Sequence, residues 1–215
     1  MTTITTRTPR NRLLVLPVVA ALALNALVAT PAAAEDAAIE LSPKVKVKGA
    51  KLPASDAVGS ASDPAIGKTA PRLVAKGFDG ERVKIGGPGA PRIVVFLSHS
   101  CPHCQAEVPV IVELADEDVF EGVDVETVTT NTSKRLPNYP PSEWLEREDW
   151  PFPTVLLDDA KLRAFFAAGG EAFPYFVMLD AAGVVVARAQ GELSKASIRG
   201  AVEKLAAGEP IFATT

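Results

Sequence analysis

Residues 96–111 read FLSHSCPHCQAEVPVI, and this stretch holds both cysteines of the chain, Cys101 and Cys104. Just upstream, RIVVFLS (92–98) is an unbroken apolar run rich in β-branched residues, the pattern of a strand buried on both faces. Downstream, Val108, Ile111, Val112 and Leu114 recur at helical spacing and predict a helix from about Cys101. The two cysteines therefore stand where a buried strand hands over to a helix. Three chemistries compete for such a pair: a stabilising disulfide, a metal clamp and a redox centre.

A bridge between cysteines three apart closes a loop of about four residues, for which chain entropy gives only about 2 kcal/mol, against about 3 for a 15-residue loop. A sole disulfide kept for stability is expected to close more chain. A structural zinc site needs four ligands, usually with a second pair far along the sequence. Here the other candidates, His99 and His103, crowd into the same short loop, where His99 otherwise reads as a partly exposed loop histidine. Haem attachment through C-x-x-C-H fails at Gln105. Redox chemistry explains the placement better. Unpaired N–H groups and the dipole of the helix N-terminus stabilise a thiolate at Cys101, and the thiolate is the reactive form. Cys104, one turn inside, is placed to resolve a mixed disulfide formed there. Cys101 is thus read as the attacking thiol and Cys104 as the resolving one, with Cys101–Cys104 the redox disulfide and no metal in the site. Two alternatives stand beside this reading. One is a copper chaperone using both cysteines and His99. The other is a thiol peroxidase, for which Ser98 supplies S-x-x-C, although Val94 occupies the place of the expected proline.

Outward from this centre the chain alternates strand and helix. APRLVAKGFDGERVKI turns at Phe78-Asp79-Gly80 and predicts a small hairpin. VDVETVTT (123–130) alternates as a strand, and PTVLLD (153–158) is a short strand followed by a helix that ends at Gly169-Gly170. YFVMLD and VVVARAQ flank Gly183 as a hairpin. The last helix runs from a Ser194 cap to Gly208. Strands alternating with helices predict an α/β sheet covered on both faces, with an antiparallel hairpin at one edge.

The N-terminus carries a different message. Arg7, Arg10 and Arg12 precede a 17-residue apolar run from Leu13 to Ala29, and small residues at Ala32 and Ala34 are followed by acids. That is the anatomy of a secretory signal peptide, residues 1–34, and it places the protein outside the cytoplasm, where disulfides persist. An uncleaved segment would instead anchor it, but the run is short for a span and is interrupted by Pro17 and Asn25. Removing three arginines and no acids from a chain of formal charge −4 leaves −7. So acidic a protein lacks the basic footprint of nucleic-acid binding. Residues 35–66, rich in Ala, Ser, Pro and Lys, read as a flexible linker, and KVKVK (44–48) is too short to overturn that. Residues 67–209 form the folded domain, and 210–215 a tail.

With these motifs in place, the chain resembles the TlpA/ResA-type redoxins of the thioredoxin fold. The likeness rests on FLSHSCPHC as strand and active-site loop, and on CQAEVPVI as C-x-x-E-x-P with Glu107 and the helix-kinking Pro109. It rests also on DWPFPTVLLD and on AFPYFVMLDAAGVVVARAQGE as the closing proline–strand–turn–strand. The resemblance implies a thioredoxin-like α/β sandwich with an N-terminal hairpin extension and a cis peptide before Pro174. It also implies that the Phe173 backbone pairs with an extended substrate like an added strand. Glu107 would move protons or tune the thiols. Pro102-His103 between the cysteines is the dipeptide of DsbA, and His103 would stabilise the Cys101 thiolate and make the disulfide more oxidising. The scaffold resembles reductants, some serving apocytochrome c, so the two likenesses pull the direction of electron flow opposite ways. Ser100 stands where the family usually has tryptophan. The implied partners are protein thiols or disulfides outside the cytoplasm and a membrane or secreted redox partner, with no cofactor.

Overall fold

A computed structural model describes residues 44–212. The expected signal peptide, residues 35–43 of the expected linker and the last three residues lie outside the described residues. In chain order the elements are β1 (Lys46–Lys48), β2 (Arg72–Lys76), β3 (Arg82–Ile85), β4 (Arg92–Leu97) and α1 (Pro102–Asp116). They continue with β5 (Asp124–Thr129), α2 (Pro141–Arg147), β6 (Val155–Leu157) and α3 (Arg163–Ala167). The chain closes with β7 (Tyr175–Leu179), β8 (Val185–Gln190) and α4 (Lys195–Ala207).

The main sheet has the order β6-β5-β4-β7-β8. β4 is central, parallel to β5 and antiparallel to β7, and β8 forms the expected antiparallel edge. The apolar run that marked β4 follows from this position. Ile93, Val95 and Leu97 pack on one face with Val108, Ile111 and Leu114 of α1 and Ile198, Val202 and Leu205 of α4. Val94 and Phe96 pack on the other face with Ala164 and Phe165 of α3. Each such aliphatic side chain contributes roughly 1.5–3 kcal/mol on full burial. This is the thioredoxin-like fold. Ser194 caps α4 by accepting the Ser197 N–H at 3.1 Å, and Gly208 ends it in the left-handed region at φ 69°.

From residue 44 onward, the expected linker is part of the domain. KVKVK supplies β1, which pairs antiparallel with β2 and turns the expected hairpin into a three-stranded sheet. Val45, Leu52 and Ala65 are core residues. A buried ion pair fastens the segment: Arg188 of β8 donates from Nε and Nη2 to both Asp63 carboxylate oxygens, at 2.8 and 2.5 Å, with neither side chain exposed. Nη1 of Arg188 adds bonds to the Pro53 carbonyl and the Tyr175 hydroxyl. The composition hid this because one aspartate and three scattered core residues suffice to anchor the stretch. The expected tail is also engaged at its start, where Lys204 Nζ donates to the Ile211 carbonyl at 2.9 Å and Phe212 packs near α4.

Candidate active site

β4 ends at Leu97, and four residues later Cys101 caps α1 with extended dihedrals, φ −82° and ψ 120°, before Pro102 at the first helical position. Proline fits there because its missing N–H has no intrahelical acceptor to serve. The Cys101 N–H donates to the Ser98 carbonyl at 3.0 Å, folding the loop back on the strand end. Both cysteines are free thiols, Cys101 partly exposed and Cys104 buried. The Cys101 thiol reaches the Phe173 carbonyl at 3.8 Å, and the Phe173–Pro174 peptide is cis, as expected. Cys104 Sγ accepts the Ser98 N–H at 3.4 Å. Burial pushes the Cys104 thiol well above the usual range, and the neighbouring Cys101 and Glu107 push it further. The exposed thiol is the one that can meet a partner, and the buried one needs a base.

A buried carboxyl stands one turn on. Glu107 is 1% exposed, and burial raises its carboxyl to about 7, with the Glu192 charge adding to the rise. Its Oε2 accepts the Leu193 N–H at 2.9 Å, which partly offsets the burial. Its Oε1 is buried without a hydrogen-bond partner among the described residues. A carboxylate that titrates near neutrality beside a thiol of raised pKa is matched to accept that thiol's proton.

His103 is exposed and lies beyond the cysteines, with Nδ1 2.6 Å from Glu192 Oε1 in the β8–α4 loop. Glu192 escaped the sequence reading, because nothing in the spacing ties it to a motif 89 residues upstream. Residues 192 and 193 thus hold both the inter-cysteine histidine and the Glu107 carboxylate.

His99 departs from expectation. Read as a partly exposed loop residue, it is 1% exposed. Its Nδ1 donates to the Pro137 carbonyl at 2.5 Å, its Nε2 accepts the Ser133 N–H at 3.2 Å, and its own carbonyl accepts from Gln105 and Asn138. Burial lowers its pKa, consistent with a neutral ring. The histidine therefore pins the 131–140 loop beside the active site. With both nitrogens engaged it offers no electron pair to copper, which removes the third ligand of the chaperone alternative. The peroxidase alternative fares no better: Val94, where its proline is expected, is an ordinary β4 position paired with Glu126 and Val177. Trp144 is wholly buried in the cluster that includes the α1 face, and Trp150 Nε1 donates to Thr127 Oγ1 at 3.1 Å.

Residues 65–205 match the protein family described as Redoxin. The chain belongs to the Redoxin family. Among curated proteins, it is 29% identical over 128 residues to the methylamine utilization protein MauD of Methylobacillus flagellatus, covering 58% of this chain and 57% of that one. This redoxin therefore matches less than two thirds of that relative's length. Among solved structures it resembles an uncharacterized conserved protein from Geobacillus kaustophilus, with TM-score 0.60, 21% identity and coverage of 80% of this chain and 91% of that one. It also resembles a secreted Mycobacterium tuberculosis disulfide oxidoreductase homologous to E. coli DsbE, with TM-score 0.51, 20% identity and coverage of 60% and 93%. At these identities the structural likeness speaks for the fold. No described helix is long and apolar enough to cross a membrane.

Proposed function

We propose that this redoxin is an exported thiol–disulfide oxidoreductase that exchanges disulfides with protein partners through Cys101. The observation that carries the reading is the division of labour in the dithiol. Cys101 is accessible beside the Phe173 carbonyl, while Cys104 is sealed beneath it next to a carboxyl titrating near 7. In the first step the Cys101 thiolate attacks a partner disulfide, forming a mixed disulfide and expelling one partner thiolate. Glu107 then takes the proton of Cys104. The resulting thiolate attacks Cys101 Sγ, closes Cys101–Cys104 and releases the second partner thiolate. Two electrons pass to the partner, and the reverse sequence oxidises a partner dithiol. Phe173 and Pro174 form the ledge on which an extended partner segment would pair. Export is supported by the signal-like N-terminus and by the secreted protein among the structural relatives.

The reading extends to direction. The positive charge that His103 would lend Cys101 is offset by Glu192, and the Glu107 charge raises the Cys104 thiol beyond what burial does. Negative charge disfavours a thiolate and so favours the disulfide, which makes the dithiol the better electron donor. The reduction potential should fall nearer the thioredoxin value of about −270 mV than the DsbA value of about −120 mV. Equilibration in glutathione buffers, with mass readout of alkylated thiols, tests this. A potential at the DsbA end would reverse the assigned direction, and failure of the pair to equilibrate at all would remove the exchange function itself.

A further inference from the structure

The chain is acidic overall, but its charge is unevenly spread. Residues 44–92 hold ten lysines and arginines against four aspartates and glutamates, whereas residues 93–212 hold nine against nineteen. The excess of cations gathers on the β1–β2–β3 sheet. In an antiparallel sheet directly paired residues share a face, and so do alternate residues along a strand. Val47, Leu73, Ala75, Val83 and Ile85 therefore face one way, and they pack into the core. The other face sets Lys48 opposite Arg72, Lys46 and Lys84 on either side of Val74, and Lys76 opposite Arg82. All six cations are exposed, and none forms an ion pair among the described residues. At ordinary β-sheet spacings their backbones fall within about 10 by 14 Å. Like charges directly opposite each other destabilise a sheet. Two such pairs on a face without a carboxylate partner point to a counter-charge supplied from outside the fold.

We propose that this face holds the redoxin against an anionic lipid surface. Its centre is Val74, which is only 8% exposed. A protein-docking patch is enriched in apolar and aromatic side chains at its core and depleted in lysine. This face has four lysines, two arginines and a covered valine instead. Nor does it offer an aromatic ring on which a nucleic-acid base could stack. A lipid surface needs neither, because its charges are spread in a plane and the attraction adds up over separate cations. β1 is also the first described strand after the apolar run Leu13–Ala29, so the basic face is the part of the fold nearest in sequence to the segment read as an export signal. The choice of lipid draws on that exported reading, and the cationic face stands without it. The acidic remainder of the molecule, which carries the dithiol, would be turned away from the surface by its own charge.

The test is cosedimentation of the full chain with vesicles of phosphatidylcholine alone and of phosphatidylcholine and phosphatidylglycerol in equal parts. Binding through the apolar N-terminal run would appear on both, so the readout is the ratio of anionic to neutral partitioning. Wild type should favour the anionic vesicles, and 1 M salt should abolish the preference. Lys46→Gln, Lys76→Gln and Lys84→Gln combined should lower the ratio by on the order of 10²-fold, about fivefold for each lysine near the surface. Lys134→Gln, Arg135→Gln and Lys161→Gln remove the same charge from the rest of the molecule and should leave the ratio near the wild-type value. Both variants, once reduced, should react with small disulfides at the wild-type rate, which shows that the fold and the dithiol are intact. An equal fall in both variants, or none in either, would overturn the proposal and leave the exchange function standing. Wild-type protein that ignores anionic vesicles but binds polyglutamate through the same three lysines would overturn it in favour of an acidic protein partner. A loss of the ratio confined to the face variant, with no form reacting with small disulfides, would uphold the lipid surface and overturn the exchange function.

Discussion

The Leu193 N–H donates to Oε2 of Glu107 at 2.9 Å, so a loop residue 86 positions downstream holds the carboxylate that stands one turn after Cys104 in α1. Oε1 is buried and has no hydrogen-bond partner among the described residues. A group so held is oriented by the backbone and yet able to change its protonation near neutral pH.

Glu107→Gln removes the proton acceptor while keeping the shape. Resolution of the Cys101 mixed disulfide by Cys104 should slow by about 10²-fold, the lower end of general-base contributions. In the wild type that step should speed up as pH rises through about 7, where Glu107 loses its proton, and the variant should lack this limb. Stability should move the other way. The folded value lies above the ordinary 4.5, so between those two values the native state holds a proton that the unfolded chain has released. The wild-type fold therefore loses stability as pH rises from about 4.5 to 7, and E107Q should be the more stable protein above pH 7, by on the order of 3 kcal/mol. Stopped-flow thiol release and urea titrations across pH 5–8 check both halves.

Glu192 raises Glu107 by charge alone and is half-exposed. Glu192→Gln should move the midpoint of the same rate profile below 7 by a few tenths of a unit, and 1 M salt should shrink the difference. An unchanged midpoint would detach the β8–α4 loop from the proton transfer.

The unequal burial of the two thiols predicts unequal labelling. Iodoacetamide at pH 7.5 should modify Cys101 of the reduced protein well before Cys104, whose burial holds it as the thiol. Cys104→Ser should consequently accumulate a covalent complex with its partner through Cys101, visible on non-reducing gels and by mass. If Cys101→Ser traps and Cys104→Ser does not, the assigned roles are exchanged.

Much of this was legible in the sequence, and the gaps have physical causes. β4 could be read because burial on both faces forces an unbroken apolar run, and the place of Cys101 and Cys104 because a strand-to-helix junction sets them one turn apart, whereas Glu107 was marked only by the resemblance to the redoxins. Glu192 and the loop around Pro137 could not, since they reach the site only through tertiary packing. His99 was misjudged for a related reason: a histidine with both nitrogens bound to backbone looks, in sequence, like any polar loop residue. Segment 44–66 was misread because its hold on the domain comes from long-range pairing, with Asp63 and Arg188 separated by 125 positions.

The buried setting of His99 makes the 131–140 loop acid-sensitive. Protonation would place an N–H at Nε2 against the Ser133 N–H that it now accepts. Because burial lowers the folded value below the ordinary 6.5, stability from the neutral ring is present above about 6.5 and lost as pH falls through the folded value. Hydrogen exchange at the Ser133 amide should accelerate between pH 6.5 and 5 beyond the intrinsic trend. His99→Asn should abolish that extra dependence.

Asp63→Ala tests whether the segment before the Redoxin match is part of the fold. The substitution leaves the Arg188 guanidinium, which has no exposed surface, without its carboxylate, and breaking one side of a buried pair costs about 3–5 kcal/mol. Replacing both members, Asp63→Leu with Arg188→Met, should recover much of that loss, because the remaining cost is packing rather than an uncompensated charge. The single variant should also expose the stretch around residues 50–66 to limited proteolysis, while the dithiol of the molecules still folded reacts with small disulfides at the wild-type rate. A single variant as stable as wild type would mean that Arg188 finds sufficient acceptors in Pro53, Ala168 and Tyr175, and that β1–β2 pairing and the burial of Val45, Leu52 and Ala65 hold the segment without the ion pair.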